Sequence, residues 1–215
     1  MDGKERGQAP DSQYRINGKV IIWLGSSVTY GAASDGYSMV DAIGEYYNCI
    51  CVKEAVSGTT LVDNGDKSYV QRMFSIDNEL PADHFICQLS TNDATQKKPL
   101  GEISASFDKS EFDTSTVAGA IEYIIAYAKE TWGCPVSFYT GTAYESAEYE
   151  AMVKLLYKVR EKWGIGIIDL YDDKDMNSVS AQNYKEYMAD PIHPTLKGYT
   201  EWWTPKFVEY LEGHN

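Results

Sequence analysis

Five short, nearly continuous apolar runs alternate with segments of helical periodicity, and this alternation constrains the fold more than any other feature. The runs are Lys19–Gly25 (KVIIWLG), Asn48–Val56 (NCICVKEAV), His84–Ser90 (HFICQLS), Pro135–Thr140 (PVSFYT) and Ile165–Leu170 (IGIIDL). Runs of this length without strict polar alternation suit strands covered on both faces. Between them, Val117, Ala120, Ile121, Ile124, Ile125 and Ala128 form an apolar stripe wide enough to cover a sheet. Asp113, Thr114 or Ser115 is expected to cap that helix, and Gly133 to stop it. Met152, Leu155, Leu156, Val159 and Trp163 form a second stripe, ended by Gly164. Met39, Val40, Ile43 and Tyr47 predict a helix over Gly36–Tyr47, and residues 65–79 predict another. A last helix spans Lys197–Leu211, with Pro205 bending or interrupting it.

Strand and helix in alternation predict an α/β domain, with a parallel sheet and helices on both faces. At about 150 residues per domain, the 215 residues are one domain with generous loops. The expected division is a flexible lead-in over residues 1–17 and a single domain over 18–215. Two connections are long, Asp93–Phe112 and Tyr171–Ala189. Both follow the carboxyl end of a strand, where open α/β sheets bind ligands.

Composition narrows the function classes. The 32 acidic residues against 19 basic ones give a formal charge of −13, which argues against a nucleic-acid surface and against adsorption to anionic membranes. Apolar runs stay far below the ~20 residues of a membrane span. Met1–Asn17 is polar, with no apolar signal segment. Read as it stands, the sequence predicts a cytoplasmic protein, or a secreted one if a leader precedes it. Cys49, Cys51, Cys87 and Cys134 lack C-x-x-C spacing and sit among apolar neighbours, so no disulfide is expected. Asp173-x-Asp175-x-Asn177 faintly echoes a calcium loop, but Ser178 stands where glycine should follow and Tyr184 where the closing glutamate belongs. A solvated acidic loop is the better reading.

Four short segments carry the chemistry. Gly25-Ser26-Ser27-Val28 follows the first strand, Ser57-Gly58-Thr59-Thr60 the second, and Ser90-Thr91-Asn92-Asp93 the third. Asp190-Pro191-Ile192-His193-Pro194 precedes the last helix. Singly, each is an ordinary turn or cap sequence. All four in order resemble the SGNH (GDSL-type) hydrolase and esterase family, whose blocks carry Ser, Gly, Asn and His, with an Asp three residues before the His. The resemblance runs from about Gly18 to Leu211. The fold expected on this reading is a three-layer α/β/α sandwich, flavodoxin-like, with a five-stranded parallel sheet of order 2-1-3-4-5.

The resemblance implies Ser27 as nucleophile, His193 as its general base and Asp190 as the group that orients the histidine. It implies an oxyanion hole from the Ser27 and Gly58 backbone N–H groups and the Asn92 side-chain amide. The residue types fit the task. A serine hydroxyl needs a base, and histidine can take its proton and return it to the leaving group. A carboxylate on the other ring nitrogen fixes the tautomer. No metal or cofactor is required.

Two positions depart from the family pattern: Ser26 stands for the usual Asp of Gly-Asp-Ser, and Ser90 for the usual Gly of Gly-x-Asn-Asp. The Gly-x-Ser-x-Gly elbow of α/β-hydrolases does not surround Ser27. The function implied is hydrolysis of a small acyl ester, acetyl above all, on a carbohydrate or other small molecule, through an acyl-enzyme on Ser27. A lipase or thioesterase is the alternative within enzymes, and a catalytically silent carbohydrate-binding module the alternative outside them. With 17 Tyr and 5 Trp, the chain has rings to offer a sugar, and Tyr30, Tyr37, Tyr144 and Tyr171 lie in or near strand-end loops.

Overall fold

The computed structural model describes residues 14–214. Five strands form one parallel sheet: β1 (Val20–Gly25), β2 (Ile50–Ala55), β3 (His84–Gln88), β4 (Val136–Tyr139) and β5 (Gly166–Ile168). Their order is β2-β1-β3-β4-β5, as expected from the sequence. The chain steps outward from β1 to β2 and then returns to the other side of β1 to place β3. That reversal opens a crevice at the carboxyl ends of β1 and β3.

Alternation along the strands divides the core in two. Ile22, Leu24, Phe85, Cys87, Val136 and Phe138 face one layer, built on α5 (Val117–Thr131) and α6 (Ala147–Trp163). Ile21, Trp23, Ile86, Tyr139 and Ile168 face the other, built on α2 (Met39–Tyr47) and α8 (Thr204–Gly213), with Tyr184 and Tyr187 of α7 (Ala181–Tyr187) packed against it. Trp23, Trp203 and Phe207 lie wholly inside this second layer. Each such side chain contributes on the order of 1.5–3 kcal/mol by leaving water.

Helix starts follow local capping chemistry. The α2 helix begins at Met39 rather than Gly36, because the Ser38 hydroxyl accepts from Val40 N–H and Asp41 reaches back to Ser38 N–H. Thr116, and none of Asp113–Ser115, caps α5. The segment over 65–79 holds two short pieces, α3 (Tyr69–Arg72) and a 3₁₀ turn at Met73–Ser75. Pro205 lies in the first turn of α8, where its missing N–H costs nothing, and a π-helical segment at Gly198–Trp203 leads into it.

The expected lead-in differs at its end. Tyr14–Asn17 form a turn on the domain, with Ile16 fully buried and the Arg15 and Ile16 N–H groups donated to the Glu212 carboxylate. Tyr14 adds an edge contact with the Tyr47 ring at 4.8 Å. The rest of the lead-in, residues 1–13, lies outside the described residues. All four cysteines are free thiols, and burial pushes those of Cys49 and Cys134 up to about 11. Among the described residues no helix is long and apolar enough to cross a membrane.

Candidate active site

Ser27 opens a four-residue helix, α1 (Ser27–Tyr30), directly after β1. The turn between strand and helix is tight. A Cβ on Gly25 would stand 1.8 Å from the Thr29 hydroxyl and 2.9 Å from Gln88 Oε1, so only glycine fits there. Gln88 is the last residue of β3, and nothing in the family motifs marks it. Its Oε1 accepts from Ser26 N–H at 2.9 Å and from the Thr29 hydroxyl at 2.8 Å. The Thr29 hydroxyl in turn meets Tyr139 OH at 2.6 Å. This buried network seats the Ser27 turn, and Ser26, in place of the usual Asp, joins it through its own N–H.

The Ser27 hydroxyl lies 2.8 Å from His193 Nε2. On the far side of the ring, His193 Nδ1 lies 2.7 Å from Asp190 Oδ2. Asp190 Oδ1 accepts the N–H groups of Ile192 and His193 at 2.7 and 2.8 Å, so the three-residue spacing closes a turn that aims the imidazole. Burial pulls the Asp190 carboxyl upward. The two N–H bonds and the imidazole outweigh it and hold the group below the usual carboxylate range. Ser27 is almost fully buried, whereas His193 keeps partial access to solvent.

Gly58 lies in the turn after β2 at φ +80°, a conformation that favours glycine. A Cβ there would meet nothing within 4 Å, so backbone conformation, rather than crowding by the protein, calls for the glycine. Neither the Ser27 nor the Gly58 N–H meets an internal acceptor among the described residues. Asn92 sits in α4 (Thr91–Thr95), a helix of five residues capped by Ser90. One Asn92 Nδ2 hydrogen goes to the Thr59 carbonyl at 2.9 Å. The amide has a second hydrogen to offer, and the side chain is half-buried rather than directed into the core. Ser90 stands where the family pattern has glycine. Its hydroxyl accepts from Asp93 N–H, the ordinary work of a cap.

Asp93 joins the two turns. It is 1% exposed, and its carboxylate takes the N–H groups of Leu61 and Val62 at 2.7 and 3.0 Å. Burial raises its carboxyl above the usual range despite those bonds. Of the tyrosines near the strand ends, Tyr30, the last residue of α1, is 45% exposed. Tyr144 and Tyr171 lean on Tyr149, and Tyr37 OH donates to Glu45. The Asp173 loop is occupied by its own chain: the carboxylate bonds the N–H groups of Asp175 and Met176 and pairs with Lys206 at 3.0 Å.

The comparisons with known proteins fall on this frame. Residues 23–200 match the GDSL-like lipase/acylhydrolase family. The chain belongs to that family. It is an ester-hydrolysing enzyme of the GDSL type. The sequence matches none of the curated proteins. Among solved structures, a Lactobacillus plantarum protein shares 20% identity at a TM-score of 0.74, covering 94% of this chain and 100% of its own. An acetyl xylan esterase shares 16% at 0.62, covering 89% and 99%. A family two carbohydrate esterase from Clostridium thermocellum, in complex with cellohexaose, shares 13% at 0.65, covering 96% and 66%. At these identities the likeness is one of fold.

A cavity of about 700 Å³ in this GDSL hydrolase opens at the other end of the sheet, around His84, Ser137 and Tyr210. None of its lining residues belongs to the Ser27 cluster. A far smaller one, about 10 Å³, is lined by Val28, Thr91 and Ile192, the chain neighbours of Ser27, Asn92 and His193.

Proposed function

We propose that this enzyme removes a short acyl group, acetyl, from a carbohydrate ester through an acyl-enzyme on Ser27. The observation that carries the reading is the unbroken series Ser27 Oγ, His193 Nε2, His193 Nδ1, Asp190 Oδ2, with contacts of 2.8 and 2.7 Å. In the first half-reaction His193 takes the Ser27 proton as Oγ bonds the ester carbonyl carbon. The carbonyl becomes an oxyanion, which the Ser27 and Gly58 N–H groups and the second Asn92 hydrogen are suited to receive. When the carbonyl re-forms, the C–O bond to the sugar breaks and His193 hands its proton to the departing oxygen. Water then enters, loses a proton to His193 and releases acetate by the reverse course. Asp190 stays ionised throughout and supports the imidazolium.

Tyr30, three residues after Ser27 and 45% exposed, offers a ring for a sugar to stack on. A neutral carbohydrate also suits a chain of charge −13. The likeness to the acetyl xylan esterase and the cellohexaose-bound carbohydrate esterase supports the same substrate class.

Purified protein is expected to deacetylate acetylated xylo-oligosaccharides and to prefer p-nitrophenyl acetate over the octanoate. Ser27→Ala and His193→Ala should each lower kcat by several orders of magnitude with the fold intact. Preference for the octanoate would favour the lipase or thioesterase reading. Sugar binding without turnover would favour a silent binding module.

A further inference from the structure

Beneath the candidate oxyanion hole lies a buried cation that the proposed chemistry does not use. Arg72, the last residue of α3, is 8% exposed. All five of its guanidinium hydrogens have acceptors. Nε donates to the Lys67 carbonyl at 2.9 Å. Nη1 donates to the Glu54 carbonyl at 3.2 Å and to its carboxylate at 2.9 Å. Nη2 donates to the Gly25 carbonyl at 2.7 Å and to Thr59 Oγ1 at 3.0 Å. A planar fork with every hydrogen committed fixes the geometry of what it holds.

What it holds is the framework of the oxyanion donors. Gly25 lies two residues before Ser27, and its carbonyl also accepts the Val56 N–H at 3.3 Å. Thr59 immediately follows Gly58. Its hydroxyl takes the Arg72 hydrogen and gives its own to the Val56 carbonyl at 2.7 Å, which closes the turn around Gly58. The Thr59 carbonyl then receives the Asn92 amide at 2.9 Å. One guanidinium thus bears on the Ser27 turn, on the Gly58 turn and, through Thr59, on Asn92. We propose that Arg72 is a positioning residue that aligns the oxyanion donors of Ser27, Gly58 and Asn92 by clamping the Gly25 carbonyl and the Thr59 side chain.

The inference rests on the proposed use of those donors, and it goes beyond that reading by assigning their alignment to a residue that meets no substrate. Lysine keeps the charge but offers three hydrogens in another geometry, so Arg72→Lys should fold and yet loosen the hole. Misplacement of donors by about 1 Å costs on the order of 10²-fold in rate. Arg72→Lys should therefore lower kcat for p-nitrophenyl acetate by about that factor with KM little changed. Inhibition by methylboronic acid, which forms a tetrahedral adduct on Ser27, should weaken by a similar factor. Thr59→Val, which removes one link of the clamp, should show the same pattern to a smaller degree.

Coupling separates positioning from mere stabilisation. Because Arg72 acts on Asn92 through Thr59, the rate loss in Arg72→Lys combined with Asn92→Ala should be smaller than the product of the single losses. Fully multiplicative losses, or a raised KM with kcat unchanged, would overturn the proposal. A readout independent of turnover is the side-chain amide resonance of Asn92, assigned by its absence in Asn92→Ala. It should move in Arg72→Lys, and an unmoved resonance would also overturn the proposal. Failure of the wild-type protein to hydrolyse any ester would count against the proposed function, and the amide resonance would still decide the role of Arg72.

Discussion

Asn92 carries two hydrogens on one nitrogen, and the fold uses them differently. One is spent on the Thr59 carbonyl, which fixes the plane of the amide. On the proposed reading, the other serves an oxygen that becomes negative only during reaction. Such a donor stabilises the transition state more than the ground state. Asn92→Ala should lower kcat by about 10²–10³-fold with little change in KM. Stability should barely move, because α4 keeps its Ser90 cap and its Asp93 anchor. Full turnover in Asn92→Ala, measured with p-nitrophenyl acetate, would remove Asn92 from the hole. At this scale the motifs were legible because Ser27, Gly58, Asn92, Asp190 and His193 sit in short runs of characteristic order. Arg72 and Gln88 were not. Each works by bonding backbone that is distant in sequence, 47 residues for Arg72 and Gly25 and 62 for Gln88 and Ser26. No local pattern marks such a partner in advance.

The long connection after α4 shows what an element needs when it has no regular structure of its own. Residues 96–116 contain a single 3₁₀ turn, at Lys109–Glu111. They are strapped instead by Glu122 on α5, which is fully buried. Its carboxylate accepts the Ser104 N–H at 2.8 Å and the Trp163 indole N–H at 2.9 Å, and it pairs with Lys162 of α6. Lys162 in turn donates to the Ser104 and Ser106 carbonyls. Removing one partner leaves a largely buried charge uncompensated, a loss of about 3–5 kcal/mol. Glu122→Ala should lose that much in urea unfolding and should expose the loop to limited proteolysis. Glu122→Gln, which keeps an acceptor, should lose less. An unchanged midpoint in Glu122→Ala would show that the strap does not hold the loop. Its length and its place after β3 are all that the sequence marks in this connection, and the buried Glu122–Lys162 strap has no local signature. The two long helices that carry Glu122 and Lys162 were plain from their apolar stripes. Helices α1 and α4 were missed, since four or five residues are too few to show a period. The π-helical turn before Pro205 has no signature beyond the proline itself.

For the whole molecule, burial and charge pull stability in opposite directions as pH falls. The strand order and layer arrangement were legible from the alternation of runs together with the family resemblance, whereas the electrostatic consequence depends on which polar groups end up inside. His84 opens an apolar run and reads as structural or solvent-exposed. The fold makes it 1% exposed, with Nε2 on the Ser137 hydroxyl at 2.8 Å and Nδ1 without a partner among the described residues. Burial, helped by nearby His214, lowers its pKa from 6.5 to about 4. The folded protein therefore holds a neutral imidazole where the unfolded chain binds a proton. By linkage, this contribution is fully present above pH 6.5 and is lost as pH falls from 6.5 towards 4. A shift of that size corresponds to about 3 kcal/mol. The formal charge of −13 acts the other way, because self-repulsion relaxes as pH approaches the pI of about 4.6. Raw pH profiles mix the two effects, and His84→Gln separates them. Glutamine can still reach the Ser137 hydroxyl but takes up no proton. The unfolding free energy of wild type minus that of His84→Gln, measured in urea from pH 7.5 down to 4, should fall by about 3 kcal/mol. A difference that stays constant over that range would mean that the imidazole is as free to take a proton in the fold as out of it.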